Sequence, residues 1–67
     1  MKEIANVEEQ LLNQAVESGK EVTIITINGY QAQAVIVDFD SNVIEAKVKG
    51  GKTWMVYRHA VSTIVMD

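Results

Sequence analysis

The sequence contains no cysteine and no proline, and it has only one histidine and one tryptophan. The absence of cysteine excludes a disulfide framework, and a single histidine without any thiol argues against a structural metal site. No apolar run approaches the roughly 18 residues that a bilayer-spanning helix needs. The first residues also lack the pattern of a signal peptide. We therefore expect a cytoplasmic protein with no cofactor and no contact with a membrane.

The chain is also short and poor in basic residues. Its 67 residues suffice for one domain, residues 1–67, that buries only about 60% of its unfolded surface. We therefore expect self-association to add stability. The sequence contains six Lys and Arg residues and nine Asp and Glu residues, which gives a formal net charge of −3. Since phosphate contacts need Lys or Arg, this balance argues against nucleic-acid binding unless the basic residues share one surface.

The first segment predicts a helix over residues 7–18. Apolar side chains recur there at helical spacing, namely Val7, Leu11, Leu12, Ala15 and Val16. Asn6 is a good N-cap, and Glu9 three residues later completes a pair that resembles a capping box. Gly19 suits the end of the helix.

From residue 21 onward the pattern is typical of strands. Residues with high β propensity, separated by turn signals, predict five strands at residues 21–28, 30–39, 42–49, 53–57 and 61–66. Asn28-Gly29 favours a hairpin with a type I′ turn. The apolar phase shifts near residues 34–37, which predicts a bend in the second strand. One helix followed by five strongly bent antiparallel strands predicts a mostly β fold, a small SH3-like or OB-like barrel.

The last two strands meet at a tight corner that holds Arg58 and His59. Such a pair can be a solvated turn, or it can grip a phosphate and a base edge. The apolar residues of both strands would promote aggregation if the strand edges stayed unpaired. Pairing of the fourth strand of one copy with the fifth strand of the next would cover both edges and close a ring.

The corner and its flanks resemble a known family. The string Tyr57-Arg58-His59-Ala60-Val61-Ser62-Thr63 is similar to the second Sm motif of the bacterial RNA chaperone family Hfq, usually Tyr-Lys-His-Ala-Ile-Ser-Thr. Further segments resemble the first Sm motif and the N-terminal helix of that family, namely Val22-Thr23-Ile24, Ile27-Asn28-Gly29, Phe39-Asp40, Val43-Ile44 and Leu11-Leu12-Asn13. The resemblance implies an Sm-like barrel in a ring, usually a hexamer. Its proximal face would bind uridine-rich RNA, and its distal face adenine-rich or purine-rich RNA.

The resemblance assigns four residues to the proximal face, namely Ser41, Asn42, Arg58 and His59. Arg58 and His59 match the Lys-His pair of the family. Ser41 and Asn42 stand where the family has a Gln and a stacking Phe or Tyr, and stacking contributes about 1–3 kcal/mol per base. Glu8 stands where the family often has a Gln that contacts the base, so we expect this face to bind weakly.

The resemblance assigns six residues to the distal face: Ile25, Tyr30 and Trp54 at or near aromatic positions, and Gly29, Gln33 and Thr63 at positions that hydrogen-bond a purine. Ile25 replaces a usual aromatic residue, while Tyr30 and Trp54 supply aromatic rings nearby. Trp54 fits a packing role in the barrel or an interface equally well. Gln31 replaces a frequent Lys, which removes positive charge from this face.

Two functions remain open on these residues. The resemblance implies a post-transcriptional regulator that binds single-stranded RNA and promotes pairing of small RNAs with messenger RNAs. The alternative is a divergent Sm-fold paralogue with weak or lost RNA binding that serves as a scaffold or protein partner. This alternative is based on the net negative charge of the chain and on residues 15–18, which lack the Arg-rich rim patch of many family members. The sequence has no nucleophile–base pair or phosphate-binding glycine loop, so we do not expect an enzyme.

Overall fold

The computed structural model describes residues 7–66, and the predicted helix followed by five antiparallel strands is confirmed. The elements are α1 Val7–Ser18, β1 Glu21–Thr26, β2 Gln31–Phe39, β3 Val43–Val48, β4 Thr53–Tyr57 and β5 Val61–Val65. A single 3-10 turn, Arg58–Ala60, joins β4 to β5. The expected N-cap, Asn6, lies outside the described residues. Within the described range, no helix is long and apolar enough to cross a membrane.

The strands form one sheet in the order β4-β3-β2-β1-β5, with every neighbouring pair antiparallel. Two strands that are consecutive in the chain, β4 and β5, therefore lie at opposite edges. The β2–β3 ladder shifts register between Ile36 and Asp38, where the apolar phase of the sequence predicted a bend. The β1–β5 ladder shifts between Ile25 and Thr26. These two irregularities allow a short sheet to curve strongly.

The core lies between α1 and one face of the curved sheet. Its buried residues are Leu12, Ala15, Val22, Ile24, Ala34, Ile36, Ile44 and Ala46. Leu12 and Ala15 come from the apolar stripe of the helix, and α1 packs chiefly against β2. Ile36 and Ile44 are the largest fully buried side chains, and burial of such a side chain contributes about 1.5–3 kcal/mol. This packing holds the first turn of α1 in a defined place relative to the sheet.

The loop between β1 and β2 differs from the predicted type I′ turn. β1 ends at Thr26, two residues earlier than predicted. The N–H of Gly29 donates to the Thr26 carbonyl at 3.0 Å, and the N–H of Thr26 donates to the Tyr30 carbonyl at 2.8 Å. Gly29 has a φ of +93°, whereas no other residue type in the described range has a positive φ. A type I′ turn would need a positive φ at Asn28 as well. The loop therefore has three residues, Ile27 to Gly29, and only the last of them, the glycine, has a positive φ.

The other strand limits either match the predicted ones, as both ends of β4 do, or differ from them by one residue. β2 begins at Gln31, β3 covers Val43–Val48, and β5 ends at Val65. Asp40 explains the later start of β3, because its carboxylate binds the first N–H groups of the segment and makes them part of a turn.

Candidate nucleic-acid interface

The 3-10 turn between β4 and β5 is anchored to two other loops. The backbone N–H of Arg58 donates to the carbonyl of Asn42 at 2.8 Å, and the backbone N–H of Ile27 donates to the carbonyl of Ala60 at 2.9 Å. The turn is therefore tied to the β2–β3 connection at one end and to the β1–β2 loop at the other. We call residues 39–42 and 57–60 together the corner. It holds all four residues that the sequence predicted for the proximal face.

The side chain of Arg58 is already engaged within the chain. Its Nη2 lies 2.9 Å from Oε1 of Glu8, and its Nε donates to Oε2 of the same carboxylate at 3.3 Å. Its Nη1 donates to the carbonyl of Asp40 at 2.6 Å, and the guanidinium carbon lies 5.8 Å from the ring centre of Phe39. The Arg58 side chain is only 11% exposed, compared with 58% for Glu8. The carboxylate is thus the outer partner of the pair.

The turn that carries Ser41 and Asn42 is organised by Asp40. Oδ1 of Asp40 accepts the backbone N–H groups of Asn42 at 2.7 Å and of Val43 at 2.9 Å. These two hydrogen bonds, with a smaller contribution from the charge of Arg58, hold the pKa of the Asp40 carboxyl below its ordinary value. The side chains of Ser41 and Asn42 are exposed on this turn, and the turn places Asn42 beside Arg58.

His59 is exposed and belongs to a different set of contacts. Its ring centre lies 5.7 Å from that of Tyr57, with the two planes inclined by 31°. The polar contacts of Arg58 run instead to Glu8, Asp40 and Asn42. The corner therefore offers an exposed imidazole and an exposed amide around a largely covered cation. The sequence analysis placed Glu8 at the proximal face but did not predict its ion pair with Arg58, because 50 positions separate the two residues.

The residues predicted for the distal face divide between two surfaces of one chain. Thr63 and Gln31 both pair with Ile25 across the sheet, and Gln33 pairs with Thr23 two positions along β1. Residues that pair directly, or that lie two apart on a strand, share a face. Ile25, Gln33 and Thr63 therefore lie on the face opposite to the core, with Gly29 in the loop at the end of β1.

Tyr30 and Trp54 lie elsewhere, along a groove of ≈ 290 Å³ lined by Ile24, Thr26, Tyr30, Gln31, Ala32, Trp54 and Val56. Trp54 pairs with the buried Ala46, so it belongs to the core-facing side of β4 at the edge of the sheet. Its side chain is 46% exposed and that of Tyr30 is 73% exposed. The two aromatic rings thus offer open apolar surface in one groove. A single chain does not bring them onto the same face as Ile25 and Thr63.

No group of three or more His, Asp or Glu side chains within residues 7–66 is arranged to hold a metal ion. The acidic groups near the corner have other partners, since Glu8 binds Arg58 and Asp40 binds its own turn. The surface that remains exposes amide, imidazole and aromatic groups.

Comparison with known proteins identifies relatives over nearly the whole chain. The family model described as "Hfq protein" matches residues 7–67. The chain is similar to the "RNA-binding protein Hfq" of Geobacillus sp. (strain WCH70), with 40% identity over 100% of this chain and 89% of that protein. It is similar to the protein of the same name from Geobacillus kaustophilus (strain HTA426), with 38% identity over 100% of this chain and 88% of that protein.

A solved structure supports the same assignment. It is described as "1.55 A Crystal structure of the pleiotropic translational regulator, Hfq", and it superimposes with a TM-score of 0.86 at 31% identity. The superposition covers 91% of this chain and 100% of that chain. The predicted Sm-like barrel is thereby confirmed.

Proposed function

This chain belongs to the Hfq family, and from that premise we propose that it is an RNA-binding post-transcriptional regulator. The observation that carries the proposal is the family match over residues 7–67. Relatives at 38–40% identity bear the name RNA-binding protein Hfq. These relatives favour RNA binding over the alternative of a scaffold that has lost it. The family is one of RNA-binding proteins and not of enzymes.

We propose that the working form is a homo-oligomeric ring, a hexamer. Each edge strand, β4 and β5, has one neighbour within the chain. Exposed apolar side chains occupy both edges, namely Met55 and Tyr57 on β4 and Val65 on β5. An unpaired apolar edge is an aggregation hazard unless another strand covers it. Pairing of β4 with β5 of the next copy would satisfy both edges at once.

The corner is the proposed site for uridine-rich single strands. Asn42 and Ser41 can hydrogen-bond a base edge, and His59 can donate to a base or a phosphate. Arg58 supplies the cation of the set, and its backbone N–H donates to the Asn42 carbonyl. No aromatic ring stands at position 42, and Glu8 covers the arginine. We therefore propose a weak site.

Purine-rich single strands are proposed to bind where two copies meet. Pairing of β4 with the β5 edge of a neighbour would bring the strand that carries Trp54 beside the strand that carries Thr63 of the next chain, whose intrachain partner on β1 is Ile25. A purine at this seam could stack on an aromatic ring of one chain and hydrogen-bond to Thr63 or Gln33 of the next. The site would be incomplete in a single chain, which agrees with the division of these residues between two surfaces.

A ring with two such sites can hold two single strands at once. We propose that it brings small RNAs and messenger RNAs together in this way and raises their effective concentration for pairing. The cytoplasm is the proposed location, since both kinds of RNA are found there in bacteria.

The test is a fluorescence anisotropy titration with labelled oligo-U and oligo-A at physiological salt. The protein is first characterised by light scattering, so that the assembly state is known. We expect a ring that binds oligo-A more tightly than oligo-U. Failure of the assembled ring to bind either oligonucleotide would contradict the proposed function. A stable monomer at micromolar concentration would contradict the proposed assembly.

A further inference from the structure

The contact between Glu8 and Arg58 has the geometry of anion recognition. A guanidinium binds carboxylates and phosphates through the same parallel N–H donors. Glu8 uses two of these nitrogens, Nη2 at 2.9 Å and Nε at 3.3 Å. The Asp40 carbonyl uses the third, Nη1, at 2.6 Å. All three guanidinium nitrogens therefore have a partner before any RNA arrives.

We propose that Glu8 competes with RNA phosphate for Arg58 and thereby directs the protein towards purine-rich ligands on its other face. This inference rests on the proposed RNA binding and names the residue that sets the balance between the two sites. An RNA phosphate that reaches Arg58 must displace the Glu8 carboxylate. The purine site meets no such competitor, because Trp54 and Tyr30 act by stacking.

The fold keeps the two charges together. α1 carries Glu8 in its first turn, and Leu12 and Ala15 fix that helix against the core. On the other side, the Asp40 carbonyl and the ring of Phe39 hold the guanidinium in place. Arg58 is 11% exposed and Glu8 is 58% exposed. The carboxylate, as the outer and more exposed partner, is therefore the group that an incoming phosphate displaces.

Competition of this kind has a distinct dependence on salt. A phosphate that binds a free cation releases a counterion, so the slope of log K against log salt steepens by about 0.7 for each contact on a single strand. When the phosphate displaces Glu8, the freed carboxylate is left to be screened by cations from solution. This change opposes the counterion release, so Arg58 adds less to the slope than a free cation would. Removal of the carboxylate removes the opposing change.

The decisive variant is Glu8→Gln, which removes the charge and keeps the size of the side chain. Its matched control is Glu17→Gln, which removes the same charge from the same helix at its far end, away from Arg58. Anisotropy with oligo-U should show binding up to about fivefold tighter for Glu8→Gln, with a steeper salt slope than in the parent protein. The oligo-A affinity of Glu8→Gln should equal that of the parent protein within error. Glu17→Gln should bind both oligonucleotides with the affinity of the parent protein.

A second variant separates local competition from folding effects. In the Arg58→Gln background, Glu8→Gln should give no gain in oligo-U affinity, because the cation it releases is absent. Circular dichroism and light scattering confirm that each variant remains a folded ring. An equal gain for Glu17→Gln, or a gain that persists without Arg58, would attribute the effect to net charge and overturn the proposal.

The remaining outcomes separate this inference from the proposed function. Oligo-A binding by all variants, together with unchanged oligo-U affinity and salt slope for Glu8→Gln, would show a purely structural ion pair and overturn the competition alone. Loss of binding to both oligonucleotides in every variant, the parent protein included, would contradict RNA binding itself and the competition with it.

Discussion

The carbonyl of Asn42 accepts the backbone N–H of Arg58 at 2.8 Å, and this bond joins two connections that lie far apart in the sequence. The side chain at position 42 therefore stands beside the arginine whatever residue it is. A substitution there changes the surface next to a fixed backbone. The position is thus suited to test what an aromatic ring would add to the corner.

We predict that Asn42→Phe strengthens oligo-U binding, because a base can stack on the added ring. Stacking contributes about 1–3 kcal/mol per base, which corresponds to at least a fivefold gain in an anisotropy titration. Asn13→Phe, on the exposed side of α1, adds the same ring away from the corner and should leave affinity unchanged. Equal affinity for Asn42→Phe and the parent protein would argue that bases do not reach the corner.

We predict that Asp40→Ala lowers the melting temperature near neutral pH, because the backbone N–H groups of Asn42 and Val43 lose their acceptor. The same bonds lower the pKa of Asp40 in the folded state. The stability it contributes is therefore complete above the unfolded value of about 3.9. It is lost as the pH falls through the folded pKa. Thermal melts should show the difference between parent and variant shrinking below about pH 4; a constant difference would contradict this.

We predict that Ile36→Ala costs about 2–5 kcal/mol of unfolding free energy, because it leaves a cavity in the core. Ile36 is 1% exposed, whereas its neighbour Val37 is 40% exposed. Val37→Ala should therefore cost much less. Urea denaturation at one fixed chain concentration provides the comparison, since assembly adds to the apparent stability. Similar costs for the two variants would contradict the position of the core.

We predict that Gly29→Ala destabilises the β1–β2 loop by about 1–2 kcal/mol, because its φ of +93° is unfavourable for a residue with a Cβ. Apart from Gly29 and its two chain neighbours, no heavy atom of the described residues lies within 4 Å of the position that the new Cβ would take, so the cost arises from the local backbone. Ile27→Ala, at an exposed position of the same loop, is the control. Urea denaturation should show a smaller loss for this control; an equal or greater loss would be inconsistent with backbone strain at Gly29.

We predict that oligo-A quenches the intrinsic fluorescence of Trp54, because a stacked purine would cover a ring that is half exposed in the free chain. It is the only tryptophan in the protein, so the signal has one source. Oligo-U, bound at the corner, should leave the emission unchanged. Trp54→Ala should weaken oligo-A binding, and Trp54→Phe should preserve most of it. Tight oligo-A binding without quenching would assign Trp54 to packing at the interface.

Local patterns in the sequence were sufficient for the helix and the strands. The apolar stripe of α1 and the β-branched runs of the strands are patterns among residues that are close together in the sequence, so they can be recognised without knowledge of tertiary contacts. The loop at Ile27–Gly29 was predicted with the wrong turn type, because Asn28-Gly29 suits both a two-residue type I′ turn and the observed three-residue loop, in which only Gly29 has a positive φ. Thr26 favours the observed one, since its hydroxyl donates to Oδ1 of Asn28 at 2.6 Å.

The candidate site was less accessible to sequence reasoning. The corner could be located, because the Sm motifs mark it. The partner of Arg58 could not, since 50 residues separate Glu8 from it and no spacing rule encodes a contact made by tertiary packing. The separation of Trp54 from Ile25 and Thr63 likewise depends on which face of which strand each occupies, and on the strand order β4-β3-β2-β1-β5.

The turn Arg58–Ala60 joins the two edges of the sheet with only three residues. If each edge pairs with a neighbouring copy, the angle between β4 and β5 helps to set the rotation that relates one subunit to the next. Subunit number would then depend on bond rotations in three residues, and an insertion or deletion there would change the stoichiometry while leaving every strand intact.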